Sequence, residues 1–332
     1  MQRLALVWLA APWLSAAVAA LDISTNTINQ ASQDWASVDF PDINIGSNAY
    51  FSILDYENSF VKGSVKNKGG LYVSQTKTMG TVSFTVQGAS FENEKDVVLS
   101  SFSTRELSYY RLDVARFVNS GSLYMGVTAT YFDTAFQFRV SSEFVNTGKI
   151  VLRAEGRDRV QASLQRRDWS PIQNDGALCM YNVQWEQGAD LAGKGCIYVG
   201  KNSLFQLNGA SYSTSSDLSI YLADSTLILR LSTLFSTDVP TVTVYGFGNG
   251  NEILTYATMN TWSYDSTSGI LTITNWGSSM KFNIGLNYDS SKFHTIAQWG
   301  AIQGIKYTGS APNSAPESCS ACLDAFPSTP TS

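Results

Sequence analysis

Apolar side chains recur along this chain at intervals that neither a lone helix nor a lone strand explains. Val65, Phe91, Phe117, Phe144 and Ile172 each precede an asparagine by two places, giving Asn67, Asn93, Asn119, Asn146 and Asn174; Asn202 continues the series, with separations of 26, 26, 27, 28 and 28 residues. Four and six places after each asparagine stand further apolar pairs: Leu71/Val73, Val97/Leu99, Leu123/Met125, Ile150/Leu152 and Leu178/Met180. Such i, i+2 spacing is that of a strand with one face turned inward. A second strand repeats in phase, since Phe84, Tyr110 and Phe136 are 26 apart, as are Val86, Leu112 and Phe138. Units of this length that each carry strands bury their apolar faces only by stacking on one another. The pattern predicts a parallel β-helix. A leucine-rich repeat has a similar period, but its Leu-x-x-Leu-x-Leu signature is absent.

Two properties suit asparagine to the recurring position. It tolerates the left-handed backbone of a turn, and identical amides stacked at the roughly 4.8 Å strand spacing can bond one another as a ladder. Glycine usually follows two places later, at Gly69, Gly121, Gly148 and Gly176, with Lys95 the exception. The repeat is expected over residues 21–232. It opens at Asn44-Ile45-Gly46 and closes at Asn202, where the following apolar residues shift to Leu204, Phe205 and Leu207.

Over residues 233–308 the period gives way to short strands at Thr241–Tyr245, Ile253–Ala257, Asn260–Tyr264, Ile270–Thr274 and Met280–Ile284. Asn249-Gly250 reads as a hairpin turn and Ser268-Gly269 as another. A small antiparallel sandwich is predicted, placed to cap the strand edges at the open end of the helix. Residues 309–332 form a cysteine-containing tail whose last stretch, Phe326 to Ser332, has the Ser/Thr/Pro composition of the start of an O-glycosylated stalk.

Arg3, the apolar stretch Leu4 to Ala11 and the small residues at Ala17 to Ala20 make residues 1–20 a secretory leader. Its removal takes one positive charge and shifts the formal net charge from -5 to -6. That balance argues against nucleic acid as a partner. The basic stretch Arg153, Arg157, Arg159, Arg166 and Arg167 is interrupted by Glu155, Asp158 and Asp168 and reads as a solvated, salt-bridged face. Cys179, Cys196, Cys319 and Cys322 are an even set in a secreted chain, so two disulfides are expected, with three pairings open. Cys319-x-x-Cys322 lacks the context of a redox or zinc motif, and no N-glycosylation sequon is present.

Several segments resemble the N-terminal domain of yeast hyphally regulated cell wall proteins. They are Tyr264-Asp265-Ser266-Thr267-Ser268-Gly269-Ile270-Leu271, Phe282-Asn283-Ile284-Gly285, Tyr288-Asp289 through Phe293, Gly176-Ala177-Leu178-Cys179 and Gly195-Cys196-Ile197-Tyr198-Val199-Gly200. The family's glycine before the tyrosine of Tyr288-Asp289 is Asn287 here, a residue that takes the same left-handed backbone. The resemblance covers Leu21 to about Cys322. It implies an all-β fold, a right-handed parallel β-helix followed by a small antiparallel α-crystallin-like β-sandwich, as the head of a stalked adhesin-like protein. It further implies a glycosylphosphatidylinositol signal in the full-length product and attachment to wall glucan through that downstream anchor.

No catalytic, cofactor or metal residues are expected. Paired carboxylates for glycoside cleavage must sit a few ångström apart. The outward columns Thr85, Arg111, Gln137 and Gln87, Asp113, Arg139 stack no two acids, nor does the column Gly70, Asp96, Ser122, Lys149, Ala177. His294, the one histidine, lies outside the repeat. Of Trp35, Trp169, Trp185, Trp262, Trp276 and Trp299, the pair Trp169 and Trp185 flank Cys179 and come nearest to a sugar platform, although core positions are the plainer reading. The leading expectation is a non-catalytic, secreted surface head whose partner is a host, abiotic or cell-surface ligand, carbohydrate among them. A polysaccharide lyase or hydrolase and a purely structural wall component are the alternatives.

Overall fold

A computed structural model describes residues 19–330 other than 79, 107, 130–132, 167, 169, 210, 226–227, 232–240, 257, 276–277, 299 and 324. Most of the expected leader and the expected boundary at 232–233 lie outside these residues. The chain is an all-β solenoid built from a 13-stranded and a 17-stranded sheet. The 13-stranded sheet stacks one strand per rung, among them Gly70–Ser74, Asp96–Ser101, Ser122–Ala129, Lys149–Gly156 and Ala177–Tyr181, all parallel. In the other sheet the long strands Ser83–Asn93, Tyr109–Asn119 and Thr134–Asn146 align Phe84 with Tyr110 and Phe136, and Val86 with Leu112 and Phe138. The two periods read from the sequence are therefore the two walls of the solenoid.

Inward residues make one continuous core, in which Leu71, Val97, Leu123 and Ile150 are fully buried. Aromatic rings stack along it, with Phe117 at 5.7 Å from Phe91 and 4.6 Å from Phe144. Truncating one such phenylalanine to alanine costs about 3–5 kcal/mol.

The asparagines form a buried ladder. Asn67 Nδ2 donates to Asn93 Oδ1 at 2.7 Å, Asn93 to Asn119 at 2.7 Å, Asn119 to Asn146 at 2.8 Å and Asn146 to Asn174 at 2.7 Å. Each Nδ2 also donates to a backbone carbonyl of the next rung, those of Asp96, Ser122, Lys149, Ala177 and Cys196. Every member ends a strand, and none has a left-handed backbone, so the side-chain amide is what the position requires. The left-handed asparagines are Asn182, Asn202, Asn249 and Asn287. Glycine two places on is a matter of approach between rungs: a Cβ on Gly148 or Gly176 would come within 2.0 or 1.9 Å of the carbonyl oxygen of Gly121 or Gly148.

Two sequence expectations fail at the ladder's ends. Register pairs Ile23 with Ile45 and Ile45 with Asn67, so the opening column is apolar and Asn44 points outward to bond Asp22 Oδ1 at 2.8 Å. Asn202 is not the sixth member. The rung after Asn174 is short, pairing Ala177 with Cys196 and Ile172 with Leu191. Asn202 instead starts the strand Leu204–Leu207, stacks on Asn182 and donates to its Oδ1. Its 28-residue interval is a coincidence of one short rung and a different corner.

At the C-terminal end each sheet continues into antiparallel strands. Thr261–Asp265, Ile270–Asn275 and Ser278–Asn283 form a meander whose last strand lies parallel on Val242–Tyr245. Phe293–Gln298 and Ala301–Tyr307 form a hairpin whose second strand lies antiparallel on Glu252–Thr255. Phe247, Trp262, Tyr264, Tyr288, Phe293 and Tyr307 pack between the two extensions. Ser268-Gly269 is a hairpin turn as expected. Asn249-Gly250 is not: both residues have positive φ, but the strands they join belong to different sheets, and the turn is a corner of the solenoid.

Candidate functional site

The solenoid has two contrasting outer faces. On the 13-stranded sheet lies the tail, held by Cys179–Cys322 and Cys196–Cys319. This pairing ties each cysteine of the Cys-x-x-Cys motif to a separate rung. The tail then crosses earlier rungs. Phe326 packs on Phe102 and Tyr124 with ring centroids 4.9 and 5.4 Å away, Thr329 donates to Ser74 Oγ at 3.0 Å, and the Pro330 carbonyl accepts from Ser52 at 2.9 Å. Phe326 to Pro330, stalk-like in composition, is thus docked on the sheet. The described chain ends beside the first rungs, at the opposite end from the hairpins.

The outer face of the 17-stranded sheet carries the candidate site, a groove of about 500 Å³. Its floor is made of outward side chains that alternate with buried Phe136, Phe138, Ala162, Leu164 and Trp185. Register stacks Thr134 on Gln161 and Gln161 on Gln184, Gln137 on Ser163, and Arg139 on Gln165. One wall is the loop bearing Asn208 and Tyr212. Buried Gln187 fixes that loop: its Nε2 donates to Ser213 O at 2.8 Å, and its Oε1 accepts from Asn208 N at 3.1 Å. The one carboxylate in the lining among the described residues is Glu186, whose column neighbour on the next rung is Gln206. Among the described residues the lining has one Arg and one Glu, whose formal charges cancel, and amides dominate.

The other sequence candidates fall elsewhere. The predicted outward columns are real: Thr85, Arg111 and Gln137 are in register, as are Gln87, Asp113 and Arg139, and as are Gly70, Asp96, Ser122, Lys149 and Ala177. Among the described residues no group of three or more His, Cys, Asp or Glu side chains gathers as metal ligands. His294 is exposed opposite Lys306. Trp185 is fully buried and stacks on Phe205 at 4.8 Å, so it is core and no platform. Trp169, Trp276 and Trp299 lie outside the described residues. Among the described residues the exposed tryptophan is Trp35, 61% accessible with φ 63°, beside Asp34, Asp55 and Glu57. Asp55 there is buried, which alone would raise its pKa, but bonds from Gln30 and Thr76 hold it below the usual value. Of the basic stretch, Arg153 pairs with Glu155 at 3.0 Å and Arg166 with Asp168 at 2.7 Å, Arg159 donates to the Asn202 carbonyl at 2.7 Å, and Arg167 lies outside the described residues. The Arg166 side chain is buried, however, where a solvated one was expected.

Sequence reasoning missed the groove, although a signal existed in the run of outward glutamines at 137, 161, 165 and 184. Their stacking becomes visible only once rung lengths of 23 to 27 residues between Gln137 and Gln184 are resolved into register.

The sequence profile described as "Hyphally regulated cell wall protein N-terminal" matches residues 12–330. The chain belongs to this family. Among its relatives is hyphally regulated cell wall protein 3 of Candida albicans, 29% identical over 92% of this chain and 25% of that protein. Cell wall proteins IFF9 and IFF3 of the same organism are 31% and 30% identical, each over 96% of this chain and 35% of the relative. The hyphally regulated cell wall protein N-terminal domain described here therefore spans a quarter to about a third of the length of these relatives.

Proposed function

We propose that this domain is the non-catalytic, surface-displayed head of a fungal cell wall protein and that it attaches the cell to host tissue, abiotic surfaces or other cells. The observation that carries this reading is the open groove, a concave surface across several rungs with a single carboxylate among the described residues, Glu186, where hydrolysis of a glycosidic bond needs a pair. Family membership and the names of the relatives, all cell wall proteins, support a location at the wall. Secretion through the leader of residues 1–20, a Ser/Thr/Pro-rich stalk and anchorage to wall glucan downstream belong to the same reading. So do the right-handed winding and the α-crystallin-like form of the C-terminal strands. With the tail strapped along the 13-stranded sheet, a stalk continuing from Pro330 leaves beside the first rungs and leaves the groove face clear.

Beads coated with residues 21–332 are expected to attach to epithelial monolayers, polystyrene or yeast cells more than albumin-coated beads do. Attachment no better than albumin on all three surfaces sinks the proposal.

A further inference from the structure

We infer that the groove on the 17-stranded sheet binds a neutral oligosaccharide laid across successive rungs, an inference that rests on the reading of this domain as a binding head and names its ligand class. The argument begins from the lining. Thr134, Gln137, Gln161, Ser163, Gln165, Gln184 and Asn208 present amides and hydroxyls, groups that both donate and accept. A sugar hydroxyl does the same, so a row of amides matches a row of hydroxyls without regard to the direction of either. Ligand sites for apolar molecules are lined mainly by apolar side chains, and this groove is not. Polyanion sites gather several Lys or Arg, and among the described residues this lining has Arg139 alone, offset by Glu186.

The state of the glutamines distinguishes a binding surface from an inert ladder. Inside the solenoid, stacked asparagines spend their amides on one another at every step from Asn67 to Asn174. On the outside, Gln161 accepts from Thr134 Oγ1 at 3.0 Å, but the side chains of Gln184, stacked directly on Gln161, and of Gln165, stacked on Arg139, bond no partner among the described residues. Gln137 Nε2 donates to Thr134 O at 3.4 Å, whereas the Gln165 and Gln184 amides keep their hydrogen-bonding capacity for solvent or a ligand. The wall is built rather than incidental: buried Gln187 uses its amide to fix the loop that brings Asn208 and the half-buried Tyr212 ring to the groove. A tyrosine at a groove wall offers an apolar face to a pyranose ring and a hydroxyl to its edge. The rung spacing of roughly 4.8 Å is comparable to one pyranose unit, so side chains on consecutive rungs can address consecutive sugars.

The test uses the mature chain with four probes of equal length: mannohexaose, laminarihexaose and chitohexaose as neutral ligands, and hexagalacturonate as an acidic one. Calorimetry gives affinity, and the side-chain amide resonances of Gln165 and Gln184 report the location. At least one neutral hexaose is expected to bind at millimolar concentration or below, shift both resonances and outcompete hexagalacturonate. The Gln165→Ala/Gln184→Ala variant, which alters only outward side chains and should melt with the wild type, is expected to bind it about ten-fold more weakly, the loss of two modest hydrogen bonds. Absence of binding by all three neutral probes overturns the inference, as does tighter binding of hexagalacturonate, unchanged affinity in the variant, or binding that leaves both glutamine resonances in place. Attachment of coated beads without hexaose binding removes the sugar assignment and keeps the surface head; failure of both removes both.

Discussion

Between Asn67 and Asn174 successive rungs are joined by a buried amide bond at every step, whereas the last ladder rung and the short rung after it are tied to the tail by disulfides at Cys179 and Cys196. The change falls where rung length changes. Ala177 pairs with Cys196, a much shorter circuit than the preceding ones, and Gly193 reaches the ladder column with φ 99° and no side chain. A Cβ there would lie 2.3 Å from the Asn174 carbonyl oxygen. The last amide, on Asn174, keeps the bond that every member makes to the next rung, here to the Cys196 carbonyl at 3.1 Å, with Gly193 offering it no side chain. Equal rungs can be held by a repeated side-chain bond; a rung that breaks the repeat needs a link from outside it.

The strongest way to break this comparison is to remove the external link. Cys319→Ser/Cys322→Ser opens loops of 143 and 123 residues. Because the two bridges join the same segments, the expected loss is about 5 kcal/mol, close to the value for one long loop. Denaturant unfolding measures the total, and hydrogen exchange locates it. Protection is expected to fall first in Cys196–Val199 and Ser219–Leu222 while Lys149–Gly156 and earlier rungs hold. Equal loss throughout would mean that the staple supports the whole solenoid and that the two regions are not distinct.

A smaller effect separates the middle of the ladder from its end. Asn119→Ala leaves one amide hydrogen of Asn93 and the Oδ1 of Asn146 without their partner, both buried. At about 1–3 kcal/mol for each unsatisfied group the variant should lose about 2–5 kcal/mol. Asn174→Ala strands the donor of Asn146 but no further side-chain amide, since its own Nδ2 donates to the Cys196 carbonyl, and should lose about half as much. Equal losses in chemical denaturation would show that the ladder acts as independent bonds rather than as a chain of shared ones.

How much of this was legible in the sequence follows from the same contrast. Where rungs are equal, spacing is register, and Phe84, Tyr110 and Phe136 or Asn67 through Asn174 could be placed side by side from their numbers alone. Where a rung shortens, spacing misleads, which is how Asn202 entered the series. The disulfide partners were open for a related reason: nothing in the numbering of Cys319 and Cys322 says which rung a returning tail will meet. The groove was least legible, since Gln161, Gln165 and Gln184 become neighbours only through pairings of unequal length. Trp35 and Trp185 show the same limit at single residues. The burial of a tryptophan depends on whether it falls on an inward strand position, as Trp185 does, or in a corner, as Trp35 does.

The smallest expected effect is one of pH, and it sharpens the comparison because the ladder has no titrating group. Asp265 closes the turn between Thr261–Asp265 and Ile270–Asn275, where its carboxylate accepts from Thr267 N at 2.9 Å, Thr267 Oγ1 at 2.7 Å and Ser268 Oγ at 2.7 Å. The Thr267 and Ser268 side-chain bonds, followed by the Thr267 backbone N–H, hold its pKa down to about 2, against 3.8 ordinarily. A carboxylate whose folded pKa lies below its unfolded one stabilises fully above the unfolded value, and that stabilisation is lost as pH falls through the folded one. Between pH 4 and pH 2, therefore, the amide protection factor of Gly269, which donates to Asp265 O at 2.8 Å, should decline, while the protection of strand amides beside Asn93 and Asn119 stays level. Asp265→Asn should remove the pH dependence of Gly269 and leave the ladder rungs untouched. A parallel decline in both regions would mean that acid acts on the fold as a whole; no decline at Gly269 would mean that the turn is held by strand pairing alone, with the carboxylate a bystander.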